Sequence, residues 1–65
     1  MKRAHLIQML NRMGAVLVRN GKRHDVYRQS VTGAETTVPR HNEIKEFTAR
    51  SILKTLSPDV EQSLG

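Results

Sequence analysis

An α+β domain, with two helices laid on one face of a three-stranded antiparallel sheet, is the fold class this sequence predicts. Three observations lead there. Leu6, Met9, Leu10 and Met13 near the start, and Ala49, Ile52, Leu53 and Leu56 near the end, each fall at i, i+3, i+4 and i+7, the spacing of one apolar helix stripe. Between them lie three short strand-like runs, punctuated by Asn20-Gly21 and by Thr32-Gly33. Each helix has a single stripe to bury, so both need the same sheet face, which gives two layers in the order α-β-β-β-α.

The first helix is expected over about residues 2–13, closed by Gly14, which suits a left-handed position. Its methionines fit as core filler, and His5 falls beside the stripe as a surface residue. Strands follow at residues 15–19 and 24–29, joined around Asn20-Gly21. That dipeptide is the strongest short signal for a two-residue type I′ turn, because both residues tolerate positive φ. Val31-Thr32-Gly33-Ala34 makes a second turn, and Glu35-Thr36-Thr37-Val38 a third strand. Pro39 ends it, since proline cannot donate a ladder hydrogen bond. The second helix is expected over residues 46–56, with Glu46 in its first turn and Lys54 in its last, as the helix dipole favours. Its charges read as a solvated face with i,i+4 pairing of Glu46 and Arg50. The domain then covers residues 1–56, and residues 57–65 form a short, frayed, mildly acidic tail beginning beside the helix-stopping Pro58.

Composition narrows the function. With one Phe, one Tyr and no Trp in 65 residues, the core must be built from Leu, Ile, Val and Met. So short a chain buries only about 60% of its unfolded surface, leaving little room for a deep pocket or an organic cofactor. There is no cysteine, hence no disulfide and no thiolate metal site, which fits a reducing cytoplasm. The six carboxylates are scattered without ligand spacing, so no metal is expected. No signal-peptide pattern or membrane-length apolar run is present, and no membrane partner is expected. The net charge of +5 is unevenly placed: residues 1–40 hold eight Lys or Arg against Asp25 and Glu35. Residues 41–65 hold three against Glu43, Glu46, Asp59 and Glu61. Clustered positive charge on a small domain favours nucleic acid as partner.

The densest chemistry lies in Asn20-Gly21-Lys22-Arg23-His24. A hairpin tip with two cations and one imidazole can hold a phosphate and move a proton beside it, since histidine alone changes charge between about pH 5 and 8 when unperturbed. The competing interpretation is a charged turn that keeps the hairpin soluble.

Two further stretches carry a family likeness. Val38-Pro39-Arg40-His41-Asn42-Glu43-Ile44-Lys45 continues into Thr48-Ala49-Arg50-Ser51-Ile52-Leu53-Lys54, and Gly14 is followed by Arg19, Gly21, His24 and Val26-Tyr27. In this order, over about Met1 to Leu56, the chain resembles the HicA toxins, small mRNA interferases with a double-stranded-RNA-binding-domain-like fold. Where many members carry Gly-Ser-His or Gly-Asn-His at the hairpin, this chain has Gly21-Lys22-Arg23-His24.

The resemblance implies a cytoplasmic endoribonuclease acting on mRNA, with His24 catalytic and a HicB-type antitoxin as protein partner. Lys22, Arg23, Arg19 and Arg40 are then the expected RNA-binding cations. The simplest reaction uses the RNA 2′-hydroxyl as internal nucleophile, with His24 as base or acid near an intrinsic pKa of about 6.5. His41 is the natural second acid; its structural alternative, favoured here, is a hydrogen bond to the turn leading into the second helix. The main rival is a non-catalytic RNA-binding module, which would need only cations at the tip. A small structural or regulatory subunit is the other, and it leaves the ordered family match unexplained.

Overall fold

Five elements follow one another in the computed structural model, which describes residues 1–58: α1 (Arg3–Arg12), β1 (Ala15–Asn20), β2 (His24–Gln29), β3 (Glu35–Pro39) and α2 (Glu46–Thr55). The acidic tail expected over residues 57–65 lies, from residue 59 onward, outside the described residues. The sheet order is β1-β2-β3, antiparallel throughout. Asp25 pairs with Val38 and Tyr27 with Thr36, so Asp25, Tyr27 and Val38 share one face. Leu6 and Leu10 of α1, Ala49 and Ile52 of α2, and the following Leu56 form one buried cluster with Tyr27 and Val38. Both helices therefore cover the same face, as their single stripes require. In α1 the stripe is turned slightly from the expected one: Ile7 and Met13 pack on the cluster beside Leu6 and Leu10, while Met9 is partly buried outside it. No helix among the described residues is long and apolar enough to cross a membrane.

Two of the glycines behave as expected. Gly14 (φ +88°) closes α1, and Gly33 (φ +79°) turns the chain between β2 and β3. The Asn20-Gly21 turn does not. Neither residue has positive φ, so no type I′ turn forms there. Instead Asn20 pairs with Asp25, and the chain reverses through Gly21, Lys22, Arg23 and His24. The core explains the difference. A two-residue turn would set Arg19 opposite Lys22 and leave Tyr27 and Gln29 running past the start of β1, opposite the end of α1. The observed register pairs Leu17 with Tyr27 and Ala15 with Gln29, keeping both inside. A β-bulge at Val18 takes up the extra residue.

Gln29 is fully buried and joins three parts of the fold. Its Nε2 donates to the carbonyls of Met13 (2.9 Å) and Leu56 (2.6 Å), the C-terminal ends of the two helices. Its Oε1 accepts from the Val31 N–H (3.0 Å) in the β2–β3 turn. Both helix ends have orphan carbonyls that need a donor, and one amide serves both. Replacing Gln29 by Leu strands these groups in the interior, at roughly 1–3 kcal/mol for each unsatisfied one. A loss of about 2–4 kcal/mol is expected, lowering the melting temperature by more than about 10 °C; thermal and urea unfolding measure it.

Candidate active site

Strand pairing builds the site. His24 pairs with Pro39, and just beyond the strand ends the Arg40 N–H donates to the Arg23 carbonyl (3.3 Å). That continuation brings Arg40 and His41 against the β1–β2 loop. Lys22, Arg23, His24, Arg40 and His41 line one solvent-open cleft of about 530 Å³. The loop from Arg40 to Lys45 is fixed by the start of the chain: Arg3 N–H donates to Asn42 O and Ile44 N–H to Met1 O, both at 2.8 Å. The α-ammonium of Met1 meets Glu43 Oε2 at 2.9 Å and holds that carboxyl below its ordinary range.

On the opposite face, directly behind the cleft, lies an ion knot that the sequence does not announce. Asp25 is buried, and its Oδ1 accepts from Arg40 Nε (3.0 Å) and Nη2 (2.7 Å). Its Oδ2 accepts from Arg3 Nη2 (2.7 Å), and Arg3 Nε donates to the Pro39 carbonyl (2.8 Å). The hydrogen bonds and charge of Arg40, with Arg3 adding to them, hold the Asp25 carboxyl below its ordinary 3.8 against the opposing effect of burial.

The five sequence-selected residues are distributed as follows. Lys22, Arg23, His24 and Arg40 meet in the cleft, and Arg40 is also half of the Asp25 knot. Arg19 does not line the cleft. The bulge at Val18 sets Arg19 opposite Val26, on the same sheet face as His24, whereas regular alternation would have put it with Leu17. His41 is a cleft residue and makes no hydrogen bond to the turn before α2, contrary to the structural role expected for it. The His24 imidazole likewise has no hydrogen-bond partner among the described residues. His5 is exposed on α1. Sequence reasoning misses the roles of Asp25 and Arg3. Their only advance signal is one carboxylate in an otherwise basic stretch of 34 residues, from Met1 to Ala34.

Two unpartnered imidazoles beside Lys22 and Arg23, with Arg40 partly neutralised by Asp25, can grip a phosphate and move protons on either side of it. A second cleft, of about 600 Å³ between the helix ends, is lined by Met13, Leu53, Lys54 and Ser57 and offers no such pair. Among the described residues no group of three or more His, Asp or Glu side chains is arranged to hold a metal ion.

The fold, then, is a small α+β domain that presents two of its histidines, with Lys22, Arg23 and Arg40, at one end of the sheet. The family model described as the HicA toxin of bacterial toxin–antitoxin systems matches residues 3–57. The chain belongs to the HicA toxin family, and as such is the toxin half of a pair whose other half is an antitoxin. No curated protein and no solved structure gives a significant match.

Because Asp25 has a lowered folded pKa, its contribution to stability is complete above its unfolded pKa of about 3.9 and is lost as pH falls through the folded value. Urea midpoints of the native protein should fall steeply below about pH 4. Asp25→Asn should start from a lower midpoint at pH 7 and decline less with acid, retaining only a smaller slope from Glu43, whose shift has the same sign.

Proposed function

We propose that this toxin is a metal-independent endoribonuclease that cleaves mRNA in the bacterial cytoplasm, with His24 and His41 as its acid–base pair. The observation that carries the reading is the meeting of both free imidazoles with Lys22, Arg23 and Arg40 in one cleft. Family membership adds weight, since it makes the protein a toxin. The RNA 2′-oxygen attacks the adjacent phosphorus while one imidazole takes its proton. The bond from phosphorus to the 5′-oxygen breaks, and the other imidazolium protonates the leaving oxygen. The products are a 2′,3′-cyclic phosphate and a 5′-hydroxyl. Lys22, Arg23 and Arg40 stabilise charge on the phosphoryl oxygens, and Arg19 guides the strand from the open sheet face. The antitoxin, of HicB type on this reading, neutralises the toxin by covering the cleft.

Induced expression tests the catalytic assignment. His24→Ala should abolish growth arrest and mRNA loss while its stability changes by no more than about 0.5 kcal/mol, as for an exposed substitution. His41→Ala should lower the cleavage rate without weakening RNA binding. Excess chelator should leave cleavage intact, and RNA with every 2′-hydroxyl methylated should resist it. A fully toxic His24→Ala protein, or cleavage of the methylated RNA, would overturn the mechanism.

The cation roles make a separate expectation. Neutralising Lys22 and Arg23 together should weaken RNA binding whatever the sequence. It should also flatten the slope of log affinity against log salt by roughly 1.4, at about 0.7 per phosphate contact on a single strand. The same variant should associate more slowly with the antitoxin in stopped-flow measurements at low salt. Unchanged slopes and rates would make these residues mere solubilising charges.

A further inference from the structure

The core stripe of α2 has a counterpart on the helix's other side. Phe47, Arg50, Ser51 and Lys54 repeat the spacing i, i+3, i+4, i+7 of Ala49, Ile52, Leu53 and Leu56, two residues out of phase. These four side chains line a shallow groove of about 390 Å³ on the solvent side of the helix. Phe47 is 84% exposed. It is the only phenylalanine in a chain with two aromatic residues, and the other, Tyr27, is buried in the core. A domain short of large apolar side chains thus leaves its largest one in water, next to two cations.

We propose that this face of α2 is a second RNA contact, at which an unpaired base stacks on Phe47 while Arg50 and Lys54 hold the flanking phosphates. The inference rests on the reading of this toxin as an RNA-acting protein, and it extends that reading from the cleft to a platform for single-stranded RNA. Chemistry favours RNA over a protein partner here. An apolar protein-docking groove presents several apolar residues, whereas this one offers a single ring set among two cations and a hydroxyl. That is the combination by which single strands are gripped without regard to sequence, since every base has a π-face. Arg50 is available to a phosphate, because its contact with Glu46 is long, at 3.9 Å, and exposed on both sides, so it holds Arg50 weakly. Phe47 lies six residues after His41, so at most about 20 Å of extended chain separates them. His24 faces the sheet side away from the helices and Phe47 the outer side of α2, so one RNA would reach both only by passing round the domain edge at residues 41–46.

The absence of tryptophan makes the test direct. Phe47→Trp places a single indole on the platform, and His24→Ala in the same protein keeps the RNA uncut. Titration with a short adenine-rich single-stranded RNA should quench the indole saturably, and inorganic polyphosphate should not. Phe47→Ala should weaken single-strand affinity about tenfold, and Phe47→Trp should keep it. In the active protein Phe47→Ala should raise KM with little change in kcat. An unquenched indole with unchanged Phe47→Ala affinity would overturn the proposal. So would equal quenching by polyphosphate, or quenching by the antitoxin alone. The readout does not depend on cutting: quenching by RNA in the His24→Ala protein, with no cleavage by the protein that keeps His24, leaves the platform standing and removes the endoribonuclease reading. Cleavage with no quenching does the reverse.

Discussion

The carboxylate of Asp25, held between the guanidinium groups of Arg3 and Arg40, is the interaction on which the rest of this structure depends. It ties the first turn of α1 to the middle of the sheet and to the segment leaving β3. None of those elements is long enough to be rigid alone. Its neighbour in sequence is His24. Successive residues of a strand point to opposite faces, so a single step along β2 passes from this buried ion knot to the candidate catalytic imidazole. The buried charge is tolerable because both of its oxygens are satisfied. Removing either partner would leave part of it unpaired in the interior.

The same pairing sorts the positive charge. Asp25 neutralises much of Arg3 and Arg40, and Glu35 engages Arg28 across the strands, with Arg28 Nε at 2.8 Å. Arg19, Lys22 and Arg23 have no such partner among the described residues. The large formal charge of residues 1–40 is therefore not spread evenly over the surface. Three of the five cations there without a carboxylate partner among the described residues, Arg19, Lys22 and Arg23, lie at the hairpin end with His24, while Lys2 and Arg12 lie at the two ends of α1, and the field at the hairpin end steers a polyanion towards the cleft.

Much of this is legible in the sequence, for a physical reason. Helix stripes, Gly14 and Gly33 are local signals: periodicity of 3.6 and a required positive φ can be read within a dozen residues. The hairpin tip departs from its local signal because turn chemistry is local, while the register is set by the need to bury Tyr27 and Gln29 at the far end of β2. The Asp25 knot joins residues 22 and 15 positions apart, and Gln29 reaches 27 positions to Leu56. No short window of sequence contains such pairs. The place of His41 is hidden for the same reason. Only the continued β2–β3 pairing, which sets Arg40 beside Arg23, shows that this histidine faces the cleft rather than bonding the turn before α2.

Gly21 shows how the unexpected turn still serves the site. Its φ is ordinary, so conformational freedom is not why glycine stands there. A Cβ at this position would lie 2.5 Å from the His24 carbonyl oxygen, far inside contact distance. The absence of that atom lets the Gly21 N–H reach the same oxygen at 2.7 Å. This bond closes the loop at the backbone of His24 itself, with Lys22 and Arg23 between its ends. Pro39 holds the other side of His24 through strand pairing. An interior too small for a pocket must preorganise its chemistry on the surface, and here the backbone does so: the Gly21 bond to the His24 carbonyl and the Arg40 bond to the Arg23 carbonyl hold the backbone at His24, and the loop residues Lys22 and Arg23 carry the cations.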